Sequence, residues 1–368
     1  MTRPAIGRLA LRALFGTPLN TGITLACAVL LGLVLPGLVR WAVLDAVWSG
    51  GAAACTGKAG ACWTYVAQKF GFFVFGYYPA GERWRALLSL LLLLALLGGS
   101  LVPRFWTRAL LLAWPVVLVG VVWLLGGGTG LPAVSAESWS GLPLTVLLAS
   151  FALVLGFPAG VLLALGRLSR LPLFRVTCTA FIELQRGLPL ICVLFMANVL
   201  VPLLLPAGAT PSKLLRAYLA FTLVIAAFIA EVVRGGIHAV PPGQAEAAEA
   251  LGLRYWRIAG LIVLPQALRI SVPALVGIAI SFFKDTSLVL VIGLTDFLGA
   301  VNGGAHDPAW LGHDVEGYVV AALVYFGFCF TASRYAAWLE RRMGDTARVA
   351  RAETRTTRLA IRSAASTA

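Results

Sequence analysis

Polar positions are sparse along the chain and separated by apolar runs about a membrane thick. A helix rises about 1.5 Å per residue and the hydrocarbon layer is about 30 Å deep, so a span takes about 20 residues. Eight segments qualify: residues 22–39, 86–102, 109–125, 142–165, 176–204, 218–233, 272–294 and 318–338. Their apolar residues are continuous, whereas barrel strands would be short and alternating. Lipid offers backbone groups no hydrogen-bond partner, so each run predicts a helix. The first run is long and no small-residue cleavage site follows it, so it reads as a permanent helix rather than a removed leader.

Composition agrees. Of 368 residues, 60% are hydrophobic and 12% charged. A soluble domain is about 45–50% apolar and about a quarter charged. Soluble, disordered, collagenous and nucleic-acid-binding classes are excluded. The net charge of +14 then reads as a topology signal. With the N-terminus inside and eight crossings, the inner side receives Arg3, Arg8, Arg12, Arg104, Arg108, Arg167, Arg170, Arg175, Arg234, Arg254, Arg257, Arg269 and eight arginines from Arg334 to Arg362. The outer side receives Arg40, Lys58, Lys69, Arg83, Arg85, Lys213 and Arg216. That is 20 positive charges against 7, which predicts N-in, C-in.

The chain divides near residue 130. Residues 1–130 carry three spans and an outer loop, 41–85, whose Trp63, Tyr65, Tyr77, Tyr78 and Trp84 suit a membrane interface. A glycine-rich break at 126–130 leads to Ser138 and a five-span block, 138–340, followed by a basic tail, 341–368.

Cys27, Cys55, Cys62, Cys178, Cys192 and Cys329 form no zinc spacing, and four of them lie in apolar runs. Cys55 and Cys62 share the polar loop and are able to pair if it faces an oxidising compartment. Cys55–Ala59 resembles the end of a phosphate loop, but Ala52 stands where its first glycine belongs and Ala59 follows Lys58, so no nucleotide site is expected. His306 and His313 lie near Asp307, Asp314 and Glu316; a solvated loop is expected there, and no metal.

Glu183 and Arg186, then Glu231 and Arg234, form an internal echo near the inner ends of two spans. Residues three apart share a helix face and offset each other's desolvation. Two readings stand: ion pairs that pin helix depth, or a gate. Lys284 and Asp285, followed by Thr286 and Ser287, lie deep in a span, where ionisable groups rarely face lipid. They are candidates for the translocation path or for a clamp onto another helix.

Between the sixth and seventh spans, residues 235–271 form a long inner connection. Pro241 and Pro242 stop the preceding helix, 244–250 has high helix propensity, Gly252 offers a stop, and a second short helix is expected over 255–263 before Pro265. At Gly252 a side chain would clash or a positive φ is needed. Leu251, Leu253, Tyr255 and Trp256 supply apolar contacts for a docking partner.

Glu246, Ala247, Ala248, Gly252, Ile262, Leu264 and Pro265 match the pattern EAA-x3-G-x9-I-x-L-P at every fixed position. That loop resembles the ATPase-coupling loop of ATP-binding-cassette importer permeases. The segments 182–189, 230–237, 264–269 and 284–288 resemble blocks of the polar-amino-acid permeases in that class. The three-span extension is most similar to the M-type subunit of general L-amino-acid permeases of the Aap/Bzt type. The resemblance implies an all-α membrane protein whose five-helix core of the type I importer class follows three extra helices. It implies alternating access in a bacterial inner membrane, a separate cytoplasmic ATPase that uses ATP and Mg, a second permease subunit (a paralogue), and a periplasmic amino-acid-binding protein. No catalytic residue, cofactor or nucleic acid is expected on this chain. An ion-coupled secondary transporter or a channel is the alternative, and neither would need the coupling loop.

Overall fold

The computed structural model describes residues 14–206 and 209–365, with side chains described to Arg342. Arg3, Arg8 and Arg12 lie outside the described residues, as do the side chains of the tail from Met343 onward. The described chain is helical, with only isolated bridge pairs. The helices are α1 (Pro18–Val39), α2 (Trp63–Phe75), α3 (Arg83–Ser100), α4 (Arg108–Gly126), α5 (Gly141–Arg167), α6 (Pro172–Gly187) and α7 (Leu190–Leu204). They continue with α8 (Lys213–Ala239), α9 (Pro242–Ala250), α10 (Tyr255–Ile258), α11 (Leu264–Asp285), α12 (Phe297–Ala305) and α13 (Asp314–Ala365).

Among the described residues, seven helical segments are long and apolar enough to cross a membrane, or eight if the bent pair α6–α7 counts as one. That pair corrects the single helix expected over 176–204, because the chain turns by 105° between α6 and α7. Pro189 has no N–H and pushes its predecessor out of the helical region; Leu188 sits at φ −97°, ψ 136°. A second correction concerns Pro265, which does not end a helix. Residues Ala259–Val263 form a π turn that joins α10 to α11, with the Leu264 N–H donating to the Ala259 carbonyl five residues back. The apolar run expected as helix over 272–294 is α-helical only to Asp285 and continues as a 3-10 turn, Thr286–Ile292.

The chain forms two compact units. The larger comprises residues 71–303 and 321–368. Its centre is α5 packed on α8, with α11 also packed on α8. Gly156 and Gly160 make the first contact possible. A Cβ on Gly156 would lie 2.3 Å from Ile225 Cγ2, and one on Gly160 would lie 2.7 Å from the Ala226 carbonyl oxygen. Four residues apart, they form the small stripe that lets helix backbones approach closely in a membrane. Leu144, Leu147, Leu148, Phe221, Ile225 and Ile182 fill the core around them. At the N-terminal end of α5, the Phe297 N–H donates to Thr145 Oγ1 (2.8 Å), and Asp296 accepts from the Gly299 N–H (2.8 Å) and the Tyr325 hydroxyl (3.0 Å). Arg85, counted above as a topology charge, is fully buried; it donates to the Leu124 carbonyl (2.6 Å) in the last turn of α4, where helix carbonyls lack partners, and to the Pro132 carbonyl (2.9 Å) in the connection that follows.

The smaller unit comprises residues 1–70 and 304–320. No residue of α1 is buried. Cys55 and Cys62 form a disulfide. The expected solvated loop is packed instead: Glu316 is buried and accepts from the Cys62 N–H at 2.7 Å, with His313 Nδ1 3.8 Å away. Burial, reinforced by Glu316, pushes the Tyr65 hydroxyl up to about 12. Lys69 bonds Asp307 and holds its carboxyl below the ordinary range. Ligand atoms of Cys55, Cys62 and His313 lie within 4.8 Å of one another, with the two sulfurs joined in the disulfide.

Candidate functional site

The loop after α8 is built by its prolines and one glycine. Pro241, extended at φ −58°, ψ 130°, ends α8, and Pro242 opens α9, where a missing N–H costs nothing. At the far end of α9 the Gly252 N–H donates to the Glu249 carbonyl (2.9 Å) and the Leu253 N–H to the Ala248 carbonyl (3.1 Å). These are the two bonds of a Schellman cap, which needs a left-handed residue between them. Gly252 supplies it at φ +78°, and a Cβ there would meet no atom within 4 Å. Of the two reasons expected for this glycine, positive φ is the one that applies.

The pattern residues divide by exposure. Ala248 is buried, Ile262 and Leu264 are half-buried, and Glu246, Ala247, Gly252 and Pro265 are exposed. Beside them stand large apolar side chains open to solvent: Leu251 is 82% exposed and Trp256 73%. Behind the loop a cavity of about 690 Å³ is lined by Leu168 and Leu171 of the α5–α6 connection, and by Val240, Pro241, Leu253 and Tyr255.

The echoed carboxylates and arginines come together one turn or more before α8 ends. Glu231 receives Arg234 at 2.5 Å and lies 3.7 Å from Arg186. The expected Glu231–Arg234 pair is present, whereas Arg186 turns to Glu231 and Glu183 is held by a residue not singled out above. That residue is Arg167, the last of α5, whose Nη2 lies 2.8 Å from Glu183 and whose Nη1 donates to Glu231 at 3.0 Å. Its two partners lie 16 and 64 positions away, so local spacing gave no sign of it.

Lys284 is exposed, Asp285 half-buried and Thr286 fully buried. The Thr286 hydroxyl donates to the Phe283 carbonyl and that of Ser287 to the Lys284 carbonyl, both at 2.8 Å. The four residues sit where α11 gives way to the 3-10 turn. They are removed from the cluster: α11 meets α8 near Ser271, whose hydroxyl donates to the Val232 carbonyl, and 13 residues of helix rise about 20 Å.

Apolar helices packed through small residues, with a capped helical loop projecting beyond them, are the build of a membrane transport component. Residues 156–345 match the family described as binding-protein-dependent transport system inner membrane component, and the chain belongs to that family. It is a multi-pass membrane protein. The inner membrane amino-acid ABC transporter permease protein YhdY of Escherichia coli (strain K12) is 46% identical over 336 residues, covering 89% of this chain and 90% of its own length. The glutamate/glutamine/aspartate/asparagine transport system permease protein BztC of Rhodobacter capsulatus is 34% identical over 399 residues, covering 90% and 92%. A solved amino acid ABC transporter with histidines shares 28% identity, covers 55% of this chain and 92% of its own, and gives a TM-score of 0.49.

Proposed function

We propose that this chain is the transmembrane permease subunit of an ATP-binding-cassette importer that carries polar L-amino acids across a bacterial inner membrane. The observation that carries the reading is the loop at about 241–265: all seven pattern positions are present, and the exposed Leu251 and Trp256 stand beside a glycine-capped helix. The likeness to YhdY and BztC along about nine-tenths of the chain supports it.

In this reading the N- and C-termini face the cytoplasm, as the arginine bias favours. A separate ATPase docks on the loop, a second permease subunit completes the path, and a periplasmic binding protein delivers the amino acid. Residues 138–340 form the transport core, residues 1–130 an added module, and 341–368 a basic tail. ATP and Mg act on the ATPase. Its closure moves the loop, and the motion passes into α8 and α11, which flank it in the chain, so that the path opens to alternate sides. Lys284 and Asp285 offer one charge of each sign near the break in α11, which suits a zwitterion. Discontinuous helices are where transporters place such contacts.

The test is co-purification. The chain, expressed with the ATPase, second permease and binding protein of its own system, is expected to form a complex whose ATP hydrolysis rises with the loaded binding protein. A panel of labelled amino acids then gives the substrate. Failure to retain an ATPase would refute the reading, whereas uptake driven by an ion gradient through the chain alone would establish the secondary-transporter alternative.

A further inference from the structure

Arg167 occupies a position that neither helix spacing nor the coupling pattern assigns. It ends α5, and its guanidinium forks between two carboxylates on two other helices: Glu183 at 2.8 Å on α6 and Glu231 at 3.0 Å on α8. Arg186 reaches Glu231 at a longer 3.7 Å and lies over the Phe228 ring, its carbon 5.9 Å from the ring centre. Arg234 binds Glu231 within α8. Among the described residues Arg167 is the group that touches both carboxylates.

Each arm ends close to a moving part of the proposed cycle. Glu231 lies eight residues before the end of α8, which continues through Val240 and Pro241 into α9 of the coupling loop. Glu183 lies in the last turns of α6, just before the 105° bend into α7. The connection that follows Arg167 shares the 690 Å³ cavity with the loop itself, so the loop has room to shift relative to α5. Ionic contacts of this kind have discrete made and broken arrangements, as an element that passes motion between sites requires. A planar fork suits two carboxylates at once, whereas a lysine offers a single charged point.

We infer that Arg167 is a positioning residue that ties the coupling-loop end of α8 to the bend between α6 and α7, so that loop movement reaches the broken helix pair. The inference rests on the function proposed above. Arg167 contacts the moving helices and not the substrate; its loss uncouples hydrolysis from transport and leaves the ATPase docked.

The experiment measures ATP hydrolysed and amino acid taken up by the complete complex in proteoliposomes, for wild type, Arg167→Gln, Arg167→Lys, Glu183→Gln and the Arg167→Gln/Glu183→Gln double variant. Arg167→Gln is expected to hydrolyse ATP while uptake per ATP falls at least tenfold. Arg167→Lys restores part of the ratio, and Glu183→Gln adds nothing once Arg167 is gone. An unchanged ratio in Arg167→Gln, or additive losses in the double variant, overturns the inference. If Arg167→Gln does not assemble, the Glu183→Gln variant, at an exposed side chain, decides: an unchanged uptake per ATP in that variant also overturns it. Absence of ATP-driven uptake in the wild type would instead refute the proposed function.

Discussion

Replacing Gly252 isolates a backbone effect at the coupling loop, because the structure removes the competing explanation. Its φ is +78°, and a Cβ would find no atom within 4 Å. Within the chain itself, any loss on substitution therefore comes from the left-handed backbone. That conformation costs an L-residue about 1–2 kcal/mol, less for asparagine, whose short polar side chain bonds locally. One to two kcal/mol is a factor of about 5 to 30 in an equilibrium. If the ATPase binds the capped form of the loop, Gly252→Ala weakens its affinity by about that factor, Gly252→Asn by less, and Gly252→Val by at least as much as Ala. The assay is a titration of detergent-purified permease with fluorescent ATPase subunit, with helix content by circular dichroism as the folding control. The reasoning fails if Ala binds as well as Gly, or if Asn binds more weakly than Ala.

Four further outcomes follow from the packing and the polar contacts. Gly160→Leu drives a side chain into α8, where even a Cβ falls 2.7 Å from the Ala226 carbonyl oxygen and Ile229 Cβ; overpacking costs about 1–3 kcal/mol or more, so the yield of folded protein should drop. Gly98→Ala, with open space around it, should leave that yield unchanged. Reducing the Cys55–Cys62 bond, which closes a short loop, should cost the smaller unit about 2–3 kcal/mol by the chain-entropy relation, read as faster proteolysis within 41–70 in dithiothreitol and in a Cys62→Ser variant. Asp307 has a depressed folded pKa, so the Lys69 contact stabilises the fold above the ordinary Asp pKa and loses its effect as pH falls through the folded value. Asp307→Asn should accordingly raise proteolysis of the 304–320 segment at pH 7 and make no difference in strong acid.

Spans and loop were legible because each leaves a local mark. A run of apolar residues needs no partner to be recognised, and the pattern around Glu246 and Gly252 is contiguous with prolines that set the helix ends. The bend after Gly187 was marked only by Leu188–Pro189 inside a segment, 176–204, that was long enough to read as one span. Hydropathy does not register backbone geometry there, although the proline was in view. The π turn ahead of Pro265 was less visible still, since proline after a short helix ordinarily reads as a stop. Arg167 and Arg85 were hidden for another reason. A count of positive charges by side treats every arginine alike, whereas these two are defined by carboxylates and carbonyls 16 to 64 residues away. The short helix α2 was concealed within a loop too polar at its ends to suggest a span.

In the proposed function, ATP hydrolysed by a separate subunit drives this permease through the loop at about 241–265. The most direct measurement is uptake of labelled amino acid into proteoliposomes that contain the complete complex, with binding protein outside and ATP inside. The account predicts uptake that requires ATP, ATPase and binding protein together, and that Glu246→Lys abolishes without loss of membrane insertion. Uptake that persists without ATP on an imposed proton or sodium gradient, or that survives Glu246→Lys at full rate, would contradict it.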